Sequence, residues 1–419
     1  DFPNILVLNL KCLIKMEWKP LIEDENIYNA VKNKIYEIYD TVVNYYDEEN
    51  SGLLGGYGGC ILFLYYFYRF TKKEEHLLML QKKCEEVLED FLHSKTAAYC
   101  NGYSGICWLI RFFTNEGIIE SSDVDETLTE IDKINHHLML MHVKQNNFDF
   151  LHGALGIGYY FVTQNNKCGD VGIQNLLSEL ENNIIHNPDG SIKWLSNVFI
   201  KKYETSLVYN FGVAHGMAST AGFLTELVKV NKNEIIARRL LSDLILFYNN
   251  NTNPTTFRSV FPTWITAEGD RYAESRLAWC YGDLGISPIL YKAGMVLNDS
   301  KLKEFALNIL IKSCSRRDYK LDQVMDACFC HGTSGVAHIY NRMYQKTNIL
   351  AFKDSALYWL KETLKMGNNP NEFAGYIFIH SGHYTSNFSL LSGVSGVGLS
   401  LLATIDSSEP KWDECLMLS

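Results

Sequence analysis

The residues of this chain best suited to chemistry are cysteines and histidines that directly precede glycine turns. The stretch from Asp326 to Ala337 reads DACFCHGTSGVA, which places Cys330 and His331 at such a turn. Cys280 stands at the matching position of a second stretch, AWCYGDLG. Two cysteines and one histidine form a ligand set that suits tetrahedral zinc and leaves the fourth position open. Each cysteine taken alone is better explained as a buried free thiol, and we expect Cys328 to be one.

The glycines beside these residues belong to a pattern that recurs along the chain. Seven copies of Gly-x-x-Gly, about fifty to sixty residues apart, indicate a repeat architecture. Ser219 replaces the second glycine of the fourth copy. The first residues of the seven copies are Gly56, Gly102, Gly153, Gly216, Gly282, Gly332 and Gly393.

Helices of two kinds alternate around these glycines. Each copy precedes a segment that is apolar on most sides, as expected for a helix buried all round. Segments 27–46, 74–92, 125–141 and 233–248 instead have apolar residues at steps of three and four, as in surface helices with one buried stripe. Seven alternations predict an all-α fold, an α/α toroid with seven inner and seven outer helices. The inner helices would begin at one end of the ring, so that residues before each glycine meet at its centre.

Composition restricts the classes of function. The 419 residues carry a formal net charge of −10 and no basic run, which argues against a nucleic-acid partner. Eleven cysteines without regular close spacing fit free thiols in a reducing, cytoplasmic compartment. The apolar start of the chain is too short to span a membrane. We expect an N-terminal extension over residues 1–20 and a single domain over residues 21–419.

The residues before the other glycines add candidates to the zinc set. His215 precedes Gly216 in AHGMAS, and Asp149 lies in FDFLHGALG. The first, second and seventh repeats offer nothing comparable. Residues of the types that bind metals therefore occur in adjacent repeats, as they must if they form a single site in space.

Three of these motifs together, AWCYGDLG, CHGTSG and AHGMAS within seven glycine-marked repeats, resemble the lanthionine synthetase C-like family of lanthipeptide cyclases. The resemblance extends from about residue 50 to residue 405. It implies an α/α toroid with one central zinc ion, bound by Cys280, Cys330 and His331. It also implies a reaction, the addition of a peptide cysteine to dehydroalanine or dehydrobutyrine, which closes a thioether ring.

Further roles follow from the same resemblance. It places the acid/base histidine on His215 and supporting polar residues on Asp149, Arg276 and Tyr281. It implies a dehydrated precursor peptide with its leader as the substrate, a separate dehydratase because none accompanies the toroid here, and an exporter. Residue chemistry agrees, because a thiol with a pKa of about 8.5 must be deprotonated to become a nucleophile.

Alternative readings remain open at the level of the sequence. His215 could be a capping histidine, Arg276 and Asp149 could form ordinary ion pairs or caps, and Tyr281 could be core packing. A non-catalytic protein of the same fold could use zinc to hold a thiol such as glutathione. A toroidal enzyme of another class, such as a glycosidase or a prenyltransferase, is disfavoured because only Asp149 and Asp283 could form a central carboxylate pair.

Overall fold

The structure, a computed structural model, describes residues 18–44, 51–91, 96–201, 204–380 and 382–419. Most of the predicted N-terminal extension, residues 1–17, lies outside these ranges, and so do the last two residues of the predicted helix 27–46. Within the described residues, no helix is both long and apolar enough to cross a membrane. The ten cysteines in these ranges are all free.

Fourteen α-helices, α1 to α14, are present in the described residues, and they alternate between an inner and an outer ring. Every inner helix begins at or next to one of the seven glycine motifs and buries most of its residues. The inner helices are α2 (Gly58–Thr71), α4 (Tyr103–Asn115), α6 (Ala154–Thr163), α8 (Met217–Lys229), α10 (Asp283–Val296), α12 (Thr333–Thr347) and α14 (Val394–Ile405).

The outer helices bury only one stripe, as the three- and four-residue spacing predicts. They are α1 (Glu25–Asn44), α3 (Glu74–Phe91), α5 (Ser121–Lys144), α7 (Asp170–Asn182), α9 (Glu234–Asn250), α11 (Ser300–Ser313) and α13 (Leu350–Met366). Each inner helix packs against the next, and α14 packs against α2 and α1, so the double ring is closed. The predicted all-α toroid of seven inner and seven outer helices is confirmed.

Backbone hydrogen bonds join neighbouring repeats just before the glycine turns. At six of the seven junctions in the described residues, the residue two positions before the first glycine of a motif donates its backbone N–H to the carbonyl of the equivalent residue in the next repeat. The N···O pairs are Leu54 to Cys100, Cys100 to Leu151, Ala214 to Cys280, Cys280 to Cys330, Cys330 to Leu391 and Leu391 to Leu54, at 2.8–3.4 Å. The junction between Leu151 and Ala214 lacks it.

The second glycine of the motif is required by a close approach of the backbone. A Cβ atom at Gly105, Gly285 or Gly335 would lie well under 3.0 Å from the carbonyl oxygen of the residue six positions earlier. Ser219 fills this place in the fourth repeat, where it is buried and its hydroxyl donates to the Gly216 carbonyl at 2.7 Å. The glycines thus allow the segment before each helix to fold back onto its first turn.

Short strands, which the sequence analysis did not predict, occupy the long connections of the ring. Two are hairpins, β1 (Ile185–His186) with β2 (Ile192–Lys193), and β7 (Phe378–His380) with β8 (His383–Thr385). The third is an antiparallel sheet in the order β3 (Ser196–Lys201), β4 (Glu204–Asn210), β5 (Trp264–Thr266) and β6 (Arg271–Tyr272). Strand β4 ends directly before the loop that carries His215.

The C-terminal segment fills the ring at the end away from the glycine turns. A 3₁₀ helix, Lys411–Leu416, and the two residues after it are largely buried. The Trp412 backbone N–H donates to the Tyr66 hydroxyl of α2, and the Tyr159 hydroxyl of α6 donates to the Glu414 carbonyl. The Asp413 carboxylate accepts from Arg342 of α12, and Arg342 and His338 together lower the pKa of Asp413 to about 2 although burial alone would raise it. The lumen is therefore closed at this end.

Because the backbone approaches the second glycine closely, we predict that replacing this glycine by serine costs more stability than replacing serine by glycine. Gly105→Ser should lower the free energy of unfolding by about 1–3 kcal/mol or more, because the side chain must displace packed backbone. Ser219→Gly, the reverse change at the matching position, should cost less than about 1 kcal/mol. Denaturant unfolding measures both values, and equal costs would contradict the steric explanation.

Candidate metal centre and active site

Cys280, Cys330 and His331 come together at the glycine-turn end of the ring. Their ligand atoms all lie within 4.8 Å of one another. The ring hydrogen bond from the Cys280 N–H to the Cys330 carbonyl, 3.4 Å long, sets this proximity. Gly282, which precedes α10, has φ +98°, a conformation that favours glycine and turns the chain into the helix directly after Cys280. The donor set and its compactness fit a tetrahedral zinc ion.

The two thiols of this cluster behave differently. Hydrogen bonding from Cys330 lowers the pKa of the Cys280 thiol well below its ordinary value; burial opposes this effect, while His331 and Arg276 add to it. The pKa of Cys330 is raised because its thiol donates to Cys280 and is buried. One thiolate is thus already favoured, and thiolate is the form that binds metal.

The Asp326 carboxylate lies beside His331 and is held by two backbone hydrogen bonds. Its carboxylate accepts the backbone N–H of Cys328 at 3.0 Å and that of Ile379 in β7 at 2.9 Å. The same carboxylate lies 3.9 Å from Nε2 of His331. Asp326, Cys328 and His331 form a second group of potential ligands. Cys328 is buried, as expected, and its sulfur accepts the backbone N–H of His331 at 3.5 Å.

His215 and Asp149 form a side-chain pair across the junction that lacks the ring hydrogen bond. Nδ1 of His215 lies 2.6 Å from Oδ2 of Asp149. An ionised carboxylate only accepts hydrogen bonds, so Nδ1 carries the proton and Nε2 is left for proton transfer. Burial lowers the pKa of His215, but the hydrogen bond and charge of Asp149, with the charge of Cys280, outweigh burial and raise it. The ring of His152 stacks against His215 with centroids 6.0 Å apart.

Arg276 and Tyr281 flank the cysteines on the same segment. The charge of Arg276 favours the thiolate of both Cys280 and Cys330, although the hydrogen bond to Cys280 and burial raise the pKa of Cys330 on balance. Burial raises the pKa of the Tyr281 phenol to about 12, so the phenol is protonated at neutral pH. Both side chains can therefore stabilise negative charge.

Asp283 is the second carboxylate that a glycosidase would need, but its contacts are with the backbone and with Arg316. It is fully buried and accepts the backbone N–H groups of Val260 and Phe261 at 2.9 Å each. Arg316 lies 3.5 Å from it. These structural contacts occupy both oxygens of the Asp283 carboxylate.

Sequence reasoning missed two residues near the site. Cys100 occupies the position of Cys280 and Cys330 in the second repeat, so it was wrong that this repeat offers nothing comparable. Its spacing of two residues before Gly102 was the available signal. Burial and the nearby Asp149 raise the pKa of Cys100 to about 12, so it remains a thiol. Asp326 was missed although it lies in the same stretch as Cys328 and His331, because its contact with the backbone of Ile379 in β7 has no local sequence pattern.

Comparison with known proteins agrees with this geometry. The model of one family, described as "Lanthionine synthetase C-like protein", matches residues 21–417. The nisin biosynthesis protein NisC of Lactococcus lactis subsp. lactis is 25% identical over 311 residues, which are 67% of this chain and 72% of that protein. Among solved structures, nisin cyclase superposes with a TM-score of 0.72 at 19% identity, covering 94% of this chain and 98% of its own. This last likeness concerns the fold.

The pair of His215 and Asp149 predicts a pKa change on substitution. Asp149→Asn should lower the pKa of His215, because the stabilising charge is lost and burial then dominates. In the unsubstituted chain, the raised pKa means that the pair stabilises the fold at low pH and loses this contribution as pH rises through that pKa. NMR titration of the histidine ring protons measures the shift. Asp299→Asn, which retains the cap of α11, is the control, and an unchanged His215 pKa in Asp149→Asn would refute the coupling.

Proposed function

Because this chain belongs to the lanthionine synthetase C-like family, we propose that it is a zinc-dependent lanthipeptide cyclase. It would close lanthionine and methyllanthionine rings in a dehydrated precursor peptide by adding a cysteine thiolate to dehydroalanine or dehydrobutyrine. The observation that carries the proposal is the meeting of three metal-ligand atoms within 4.8 Å at the open end of the ring, near the His215–Asp149 pair. The similarity to a nisin biosynthesis protein supports the peptide substrate.

Cys280, Cys330 and His331 would hold the zinc ion. When bound, zinc would supply a Lewis acid that keeps a coordinated thiol deprotonated at neutral pH. Three protein ligands leave one position open for the substrate sulfur. Asp326, whose carboxylate lies 3.9 Å from Nε2 of His331, would help to orient this histidine, as outer carboxylates commonly do for metal-binding histidines.

The remaining residues would manage protons and charge. The C–S bond forms at the β-carbon of the dehydro residue, and the electron pair of its double bond moves towards the α-carbon and carbonyl as an enolate. The free Nε2 of His215 would take the thiol proton and return a proton to the α-carbon. Arg276 and the protonated phenol of Tyr281 would stabilise the enolate oxygen. Asp149 would keep His215 in the required tautomer.

The other parts of the pathway follow from this reaction. The substrate must already contain dehydro residues, so a separate dehydratase would act first on the precursor with its leader. An exporter would act on the finished product. We place all of these steps in the cytoplasm, where thiols remain reduced.

Two substitutions separate metal binding from proton transfer. Metal analysis should find about one zinc per chain. Cys330→Ala should lose zinc and ring formation together, because a ligand is removed. His215→Ala should keep zinc and slow ring formation by about 10²–10⁴-fold, the usual contribution of general acid–base catalysis. Cys107→Ala, a buried free thiol of α4, is the matched control and should change neither.

Ring formation is measured on a synthetic peptide with one dehydrobutyrine and one cysteine. Cyclisation leaves the mass unchanged but removes the thiol that an alkylating agent would label, so mass spectrometry counts closed rings. A metal-free protein that still closes rings would refute the zinc site, and a normal rate in His215→Ala would refute the proton-transfer role. Glutathione binding without ring formation would favour the non-catalytic alternative.

A further inference from the structure

Asn210, the last residue of β4, is a buried polar residue to which the reaction described above gives no role. Its side chain is fully buried. Oδ1 of this side chain accepts the backbone N–H of Gly212 at 2.9 Å. Because only the oxygen of an amide side chain can accept a hydrogen bond, this contact fixes which end of the amide is oxygen and which is nitrogen. The orientation of the Asn210 side chain is therefore set by the fold.

The nitrogen of the same amide is unpaired. Nδ2 of Asn210 is buried and has no hydrogen-bond partner among the residues that the structure describes. Proteins pair the large majority of their buried polar side-chain atoms, because an unpaired atom loses its hydrogen bonds to water without replacement. An amide that is anchored at its oxygen and unpaired at its nitrogen has a donor left for a further acceptor.

Tyr281 lies beside this amide. Its ring packs over the backbone of Gly212, where a Cβ atom would lie only 2.6 Å from Cδ1 of Tyr281. Trp264, which pairs with Asn210 across β4 and β5, contacts the same ring edge-on with centroids 6.4 Å apart. Burial raises the pKa of the Tyr281 phenol, and the nearby amide of Asn210 opposes this effect. The phenol is therefore held at the end of β4, near the amide of Asn210.

Asn210 also borders the turn that carries His215. A Cβ atom at Gly216, the residue after His215, would lie 2.5 Å from both the backbone oxygen and Oδ1 of Asn210. The asparagine thus lies between the start of α8 and the ring of Tyr281. It packs against segments that carry two of the proposed active-site residues.

We propose that Asn210 is a positioning residue for Tyr281: Nδ2 donates to the phenol oxygen while the phenol donates to the carbonyl oxygen of the reacting dehydro residue. The inference rests on the proposed cyclase function. That carbonyl oxygen carries the negative charge of the enolate once the C–S bond has formed. A phenol oxygen that accepts a hydrogen bond donates more strongly through its own O–H, because consecutive hydrogen bonds polarise one another. Hydrogen bonds of active sites are often long in the free enzyme and tighten in the complex, and we expect the bond from Nδ2 to be completed at that stage.

A double-mutant cycle with Tyr281→Phe tests this role on the zinc-loaded protein. The substrate is a synthetic peptide with one dehydrobutyrine and one cysteine. Asn210→Leu, which keeps the approximate volume of the side chain and removes the N–H, should lower kcat about tenfold or more in the protein that retains Tyr281. In the Tyr281→Phe background the loss should be about tenfold smaller, because the N–H then has no phenol to act on. KM and zinc content should stay unchanged.

The cycle separates positioning from a purely structural effect. Loss of the contact with the Gly212 N–H affects both backgrounds alike, so equal losses of kcat in the two would overturn the positioning role and leave the cyclase function intact. A normal kcat in Tyr281→Phe would overturn it as well. No ring closure by the unsubstituted protein would overturn both. Asn135→Leu, which removes another fully buried asparagine in the middle of α5, is the matched control and should leave kcat unchanged in both backgrounds.

A crystal structure of the unsubstituted, zinc-loaded protein decides the question even if Asn210→Leu does not fold. The ligand is the same peptide with its cysteine replaced by alanine, so that no ring can close. Nδ2 of Asn210 should lie within about 3.2 Å of the Tyr281 phenol oxygen. A separation above about 3.5 Å with the dehydrobutyrine carbonyl at the phenol would overturn the proposal.

Discussion

Closure of the ring by backbone hydrogen bonds is the constraint on which the site depends. In six of the seven repeats one residue donates its backbone N–H to its equivalent in the next repeat, and this places residues from distant parts of the chain at fixed, neighbouring positions. Cys280 and Cys330 are fifty residues apart in sequence but occupy adjacent ring positions. Their side chains therefore meet without any special local structure. Within the residues that the structure describes, the one junction without this bond carries the His215–Asp149 pair.

The repeat pattern explains how much of the molecule could be predicted. Glycines at fixed spacing and the alternation of apolar and amphipathic segments indicate fourteen helices and a closed ring, because each repeat must bury its apolar helix against a neighbour. The same spacing brings Cys280, Cys330 and His331 together. The sheet of β3 to β6 could not be foreseen, since it is inserted between repeats and its pairing joins segments about sixty residues apart. The role of Asp326 likewise depends on Ile379, which no sequence pattern connects to it.

The cysteines of this site differ in the pKa of their thiols because their local environments differ. Cys100 and Cys280 occupy equivalent ring positions, yet burial raises the pKa of one thiol and hydrogen bonding lowers that of the other. Cys328 is only two residues from Cys330, but it is buried beside Asp326 and its pKa is raised well above the ordinary value. Sequence spacing identifies candidate thiols, and the arrangement of neighbouring donors and charges sets the direction in which the pKa of each thiol shifts.

The buried C-terminal segment makes the ring a cup with one opening instead of a tunnel. Trp412 contacts Tyr66 of α2 and Leu416 contacts Trp279, so the C-terminal segment closes the base of the lumen in the part of the chain that the structure describes. A long chain entering such a cup must bend back on itself and leave by the way it came. A peptide with several rings would then be processed in separate visits rather than by continuous threading. The order of ring closure would depend on which loop of the peptide fits the opening, not on a direction of travel along its sequence.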